Sequence, residues 1–243
     1  MNDTENVVVL FKGGRLPSWH ALSRSDQKAY EDEHVELMLG VAERSGLKRL
    51  EGFRLVTPEA DWQRFWTIDF PAIEGAEAWI AAEMAPPYGD YGYYEYSIAR
   101  SWSPDFCADW VTAPQASTEN QPSGRNPREI PKLNVDLDSI VVVLFERGGP
   151  GHVAGEKRVT PDYIERMRTV AEEHRLMRLE AFKLTAPQHT WHPAWLAEFP
   201  TLSGAEAWIN AEVDPTHGCQ IERSFHLTRK WSPEYFAQWV PRT

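Results

Sequence analysis

Cysteine is nearly absent from this chain: of 243 residues only Cys107 and Cys219 are cysteine. A disulfide between them stays open, but a framework of bridges is excluded, and a reducing cytoplasm is the expected setting. Basic runs are missing too. Lys and Arg number 25 against 36 Asp and Glu, a net charge of −11, which removes nucleic acid and anionic membrane from the expected partners. No stretch approaches eighteen uninterrupted apolar residues, and the opening Met1-Asn2-Asp3-Thr4-Glu5 is acidic rather than leader-like. There is no Gly-x-Ser-x-Gly elbow, and neither cysteine has an obvious histidine partner. The glycines at Gly148, Gly149 and Gly151 precede no Lys-Ser/Thr pair, so that segment reads as a loop or lid rather than a phosphate cradle. Metal motifs are thin. Glu31-x-x-His34 has di-iron spacing but no second pair, and His189 and His192, three apart before a strand, face away from each other. The expectation is no metal and no bound cofactor.

What the chain does have is aromatic residues, with eleven Trp, and a repeat. VVVLF opens at Val7 and again at Val141, GAEAWI recurs at Gly75 and Gly204, and RSWSPDFCADWV returns as RKWSPEYFAQWV. The match runs ungapped from Leu50 to Val111 at an offset of 129, while the VVVLF runs stand 134 apart. Between the halves, 112–136 is rich in Pro, Ser and Asn and lacks apolar periodicity, as an exposed linker does. The expected organisation is a repeat over 1–111, a linker over 112–136 and a second repeat over 137–243.

Each half shows one order of elements. Val7–Phe11 is a β-branched run suited to a strand buried on both faces. A helix follows, with Ser23 at the N-cap and Asp26 three residues on. Tyr30, His34, Leu37, Met38 and Val41 form its stripe. Strands over Leu50–Val56 and Phe65–Phe70 come next, then a short helix around Gly75–Met84, with a capping box at Ser203-Gly204-Ala205-Glu206 in the second copy. A last strand over Tyr93–Arg100 leads into a helical turn capped by Ser103, repeated at Ser232. The order β-α-β-β-α-β, twice, predicts an α+β chain of two ferredoxin-like repeats, each a four-stranded antiparallel sheet with both helices on one face. The bare faces predict sheet-to-sheet packing of the repeats.

On these features the chain resembles the dimeric α+β barrel superfamily, with the usual homodimer fused into one chain. Trp19-His20-Ala21-Leu22-Ser23-Arg24, followed by Tyr30 and Glu33-His34-Val35, further resembles the first helix of darcynin-like proteins. The superfamily includes cofactor-free monooxygenases, polyketide cyclases, lactone isomerases and haem enzymes such as chlorite dismutases. The resemblance implies a fold and a pocket without choosing a reaction.

His34 is the leading catalytic candidate, an imidazole on the sheet-facing stripe suited to acid/base work near neutral pH. Its counterpart is Tyr163, so one pocket is expected to work where the other does not. Tyr30 would donate to a substrate oxygen, or else serve as core. Trp19 and His20 follow the Gly13-Gly14 turn, where loops line a pocket mouth. Tyr94 and Tyr96 share one strand face, opposite Glu95 and Ser97, and their counterparts are Arg223 and Phe225. They would wall an aromatic site or, the favoured reading, form the sheet–sheet interface. Trp66 is counted with Trp19 and Tyr96 as a substrate wall. Residues kept in both halves, among them Trp62, Trp66, Glu83, Arg100 and Trp102, read as scaffold, with Glu83 and Arg100 a candidate ion pair.

The expected function is a cofactor-independent enzyme acting by proton transfer on a small aromatic or polyketide-like molecule. Isomerase, cyclase or lyase chemistry fits, and so does a cofactor-free monooxygenase. His34 would be the acid/base, Tyr30 or Tyr94 would polarise an oxygen, and His20 would stand at the mouth. One alternative is a haem enzyme of chlorite-dismutase type with His174 or His226 as axial ligand. The other is a non-catalytic small-molecule binder. The expected assembly is a monomeric pseudo-dimer or a higher homo-oligomer.

Overall fold

The structure is a computed structural model that describes residues 6–58, 62–111, 138–148, 160–185, 191–214 and 221–232. The expected linker, the loop glycines Gly149 and Gly151, His189, Cys219 and the second turn after Ser232 lie outside the described residues. Among the described residues eight strands are hydrogen-bonded: β1 (Val7–Arg15), β2 (Arg49–Leu55), β3 (Arg64–Phe70), β4 (Gly92–Trp102), β5 (Ile140–Gly148), β6 (Arg178–Leu184), β7 (Trp191–Phe199) and β8 (Ile221–Lys230). They close an antiparallel barrel in the order β1-β3-β2-β8-β5-β7-β6-β4. The helices are α1 (Pro17–His20), α2 (Arg24–Ser45), α3 (Ile73–Glu83), α4 (Pro161–Glu173) and α5 (Leu202–Val213). This is the expected α+β barrel of two ferredoxin-like repeats. Of the described residues, one unit holds those up to Ile98 together with Lys230–Ser232, and a second unit holds Ala99–Val111 and the remainder up to Arg229. No described helix is long and apolar enough to cross a membrane.

Local signals explain most boundaries. Ser23 Oγ accepts the Asp26 amide at 3.1 Å and starts α2, which ends at Gly46 in the left-handed region, φ 64°. Leu37 is exposed; the buried side of α2 is His34, Val35, Met38, Leu39, Val41 and Ala42. The α5 cap is Thr201, whose hydroxyl accepts the Gly204 amide at 3.3 Å, so the expected box at Ser203 lies inside the helix. Ser103 makes no cap either: the turn after β4 is a three-residue 3-10 segment, Asp105–Cys107, preceded by Pro104.

Two strand readings change. The Gly13-Gly14 turn is absent, because β1 runs on through both glycines to Arg15. A side chain at Gly13 would stand 2.3 Å from the Phe11 ring, which lies flat over that position. The opening strands are also displaced by one residue from their lettering. Val7 pairs with Phe70 and Ile140 with Phe199; the two phenylalanines stand 129 apart, so the strands stand 133 apart rather than 134. Accordingly Val7, Val9 and Phe11 face the helices of the first unit, whereas Ile140 and Val142 do so in the second.

Candidate functional site

The site of the first unit lies in the layer between its strands and the helices α2 and α3. Alternation along β4 sends Tyr94, Tyr96 and Ile98 into this layer, where they join Phe11, Met38 and Trp79. Phe11 stacks on Tyr96 with ring centroids 4.8 Å apart and on Tyr94 at 5.9 Å. The tyrosines therefore face the helices, and the favoured reading of them as a sheet–sheet interface does not hold. Their flat packing depends on a second glycine: a side chain at Gly92 would meet the Tyr94 ring at 2.2 Å.

On the helix side, His34 of α2 is 3 % exposed, and its Nε2 lies 3.1 Å from Glu83 Oε2 of α3. Burial alone would push the Glu83 carboxyl up, but the charge and hydrogen bond of His34, with Arg15 and Arg64 behind them, hold it below the usual carboxylate range. Glu83 is therefore an ionised acceptor and Nε2–H the donor. Among the described residues His34 Nδ1 takes no hydrogen bond. One ring face of His34 is covered by Tyr88 at 3.8 Å, nearly parallel. The Arg15 guanidinium in turn lies 3.6 Å from the Tyr88 centroid and 4.4 Å from that of Trp19.

Beside this stack a small opening is lined by Phe11, Leu50, Trp66, Trp79, Arg64 and Glu83, with Ile68. Among the described residues the Tyr94 and Tyr96 hydroxyls are buried without a hydrogen-bond partner. Burial, then the Glu83 charge, pushes Tyr94 up to about 12 despite Arg15 and Arg64. The same two causes, with Tyr94 added, push Tyr96 further up. Both phenols are therefore neutral donors near pH 7.

Of the residues expected from sequence, His34, Tyr94, Tyr96 and Trp66 come together in this layer. Trp19 is buried and joins through Tyr88, at 5.5 Å. Tyr30 stacks on Tyr91 at 5.9 Å, one turn from His34 at the rim. His20 is exposed at the end of α1 and stands outside. Missed were Arg15, Arg64 and the role of Glu83, whose partner is His34 and not Arg100. A histidine and an acid 49 residues apart, matched by Tyr163 and Glu212 at the same separation, is a signal the repeat carried.

In the second unit Tyr163 of α4 donates to Glu212 of α5 at 2.9 Å. Arg223 lies 3.2 Å from Glu146 and 3.5 Å from Glu212, and the Trp195 indole donates to Glu146 at 3.0 Å. Both histidines named for a haem ligand lie in this unit, and the Cβ of His174 stands against Gly204 of α5. His174 ends α4, and His226 bonds Ser224 at 2.7 Å on the strand face opposite Phe225 and Leu227, which pack toward α4 and α5.

No family model matches this sequence, and no curated protein matches it, so the likeness to darcynin-like proteins gains no support. Solved structures do match. A mutant of chlorite dismutase from Candidatus Nitrospira defluvii aligns with TM-score 0.66 and 12% identity, over 98% of this chain and 96% of that one. The same enzyme in complex with imidazole aligns with TM-score 0.64 and 12% identity, over 98% and 95%. A haem-binding protein from Thermus thermophilus aligns with TM-score 0.58 and 11% identity, over 96% and 94%. At such identities the likeness establishes the fold.

These neighbours overturn the expectation of a cofactor-independent enzyme acting by proton transfer on an aromatic or polyketide-like molecule, and with it the expectation of no cofactor. The lyase, isomerase and monooxygenase readings go with it.

Proposed function

We propose that the protein binds haem in the sheet–helix layer of its first unit, where His34 would hold the iron. The observation that carries this reading is the buried His34–Glu83 pair. A ligating histidine typically gives its other ring N–H to a carboxylate, which fixes the ring and raises its basicity. Here Glu83 takes Nε2–H, which leaves Nδ1 as the ligand nitrogen. The rest of the donor set is compatible. Phe11, Trp66 and Trp79 offer apolar walls, and Arg64 on the cavity wall, with Arg15 nearby, supplies positive charge for porphyrin carboxylates. The opening as it stands has room for little more than a water molecule, far below the small-molecule range, so side chains must give way. Tyr94 and Tyr96 can, since no hydrogen bond among the described residues holds their hydroxyls. Bound haem would supply iron-centred ligand and electron chemistry that the side chains lack. Support from outside the chain is the fold shared with chlorite dismutase and a haem-binding protein.

The test is titration of ferric haem into the purified protein, followed by its absorption band. The expected result is a saturable shift at one haem per chain, with affinity lowered at least tenfold (about 1.4 kcal/mol) in His34→Ala. No shift, or one indifferent to His34→Ala, overturns the reading.

A further inference from the structure

The walls of the first cavity recur in the second unit, where Leu50, Trp66, Trp79 and Glu83 correspond to Leu179, Trp195, Trp208 and Glu212. In the second unit aromatic side chains stand among those walls. Phe106 packs against Trp195 at 6.5 Å and against Trp110 at 5.6 Å. Trp110 sets its ring edge-on to Trp208 at 5.8 Å and to Tyr163, the counterpart of His34, at 6.3 Å. Trp110 is 1 % exposed. It nevertheless belongs to no helix or strand.

Two observations set this indole apart from an ordinary core residue. Its backbone segment is held locally: Cys107 N bonds Pro104 O, Ala108 N bonds Asp105 O, and Trp110 N bonds Cys107 O. The flanking ion pair of Asp109 with Arg168 is partly exposed, at 66% and 34%, and surface pairs hold weakly. In addition, the Trp110 Nε1 donor is buried with no acceptor among the described residues. A buried donor without a partner forfeits its hydration. The ring shape matches the site while the N–H does not.

We propose that the second unit carries a second binding site, for a flat fused-ring aromatic molecule, and that the chain's own Trp110 indole fills it. The walls select a planar bicyclic ring, and the absence of an acceptor at Nε1 among the described residues selects a ring without an N–H there. Opening requires release of one short turn, one ion pair and the packing of Phe106, Cys107 and Val111 against the core, a local event confined to the segment that carries the turn. The proposal uses no residue of the haem site.

Benzothiophene and indole serve as probes, the first being the N–H-free analogue of the second. Trp110→Ala is expected to melt lower than wild type and to recover on adding benzothiophene, which binds one per chain and about tenfold tighter than indole. Trp110→Phe, which preserves part of the packing, is expected to bind either probe less well. In wild type labelled with 5-fluorotryptophan, the Trp110 fluorine resonance, assigned by its loss in Trp110→Phe, should move to an exposed position as benzothiophene is added. A folded Trp110→Ala that takes up neither probe overturns the proposal. So does a wild-type Trp110 resonance that stays in place at the solubility limit of benzothiophene, a result that does not depend on either variant folding. Neither probe carries a metal, so the outcome is read apart from the haem titration.

Discussion

Replacing His34 by Leu removes one partner of a buried pair and leaves the other. The two side chains are 2% and 13% exposed, with Nε2 and Oε2 3.1 Å apart, so little solvent is available to take over. Breaking such a pair costs about 3–5 kcal/mol. Arg15 and Arg64 remain near Glu83, which places the loss near the lower end, about 3 kcal/mol at pH 7. The pH dependence gives the sharper test. In wild type the Glu83 carboxyl is held low. Its contribution is thus present above the unfolded carboxyl range and is lost as pH falls toward the folded value. In His34→Leu the largest remaining influence is burial, which raises the carboxyl above its unfolded value. The variant then gains stability on acidification, because its folded state takes up a proton. The gap between the two proteins should close from about 3 kcal/mol at pH 7 to under about 1.5 kcal/mol at pH 4.5. Urea denaturation followed by tryptophan fluorescence at several pH values measures it. A gap that stays constant from pH 7 to pH 4.5 would refute the charged-pair account.

Gly92→Ala places a methyl group 2.2 Å from the Tyr94 ring and should cost about 1–3 kcal/mol; adding Tyr94→Ala should recover part of the lost melting temperature, and no recovery would place the strain elsewhere. Because Tyr94 is pushed up to about 12 by burial and then by Glu83, Tyr94→Phe should leave the ultraviolet tyrosine titration unchanged up to about pH 11, whereas a smaller absorbance rise would mean that the phenol is accessible.

The fold was legible because it is encoded twice, and each copy carries the strand and helix periods in the same order. His34 was legible from its place on an apolar stripe and its mismatch with Tyr163. Its partner was not. Glu83 has a counterpart in Glu212, and duplication alone does not separate a structural carboxylate from one serving two different neighbours, an imidazole in one unit and a phenol in the other. Tyr94 and Tyr96 were placed on the correct common face by alternation, but a single strand does not reveal which face meets the helices. The clue lay in the spacing of aromatic and glycine, Phe11 with Gly13 and Gly92 with Tyr94, which marks rings lying flat along a strand. Trp110 escaped notice for the same reason as Glu83: tryptophan stands at the matching position of both copies, and Trp239 lies outside the described residues.

The one-residue displacement of β5 relative to the lettering of β1 bears on how the two copies diverged. In β1 and β5 alike, apolar residues fill both faces, and both faces are buried. Such a strand lacks the alternation that normally locks register, so sliding it by one position exchanges valine for valine. An insertion or deletion beside β1 or β5 is thereby absorbed along the strand axis and leaves neighbouring strands in place. These two strands are where a descendant of the duplicated gene can change length at least cost to the barrel.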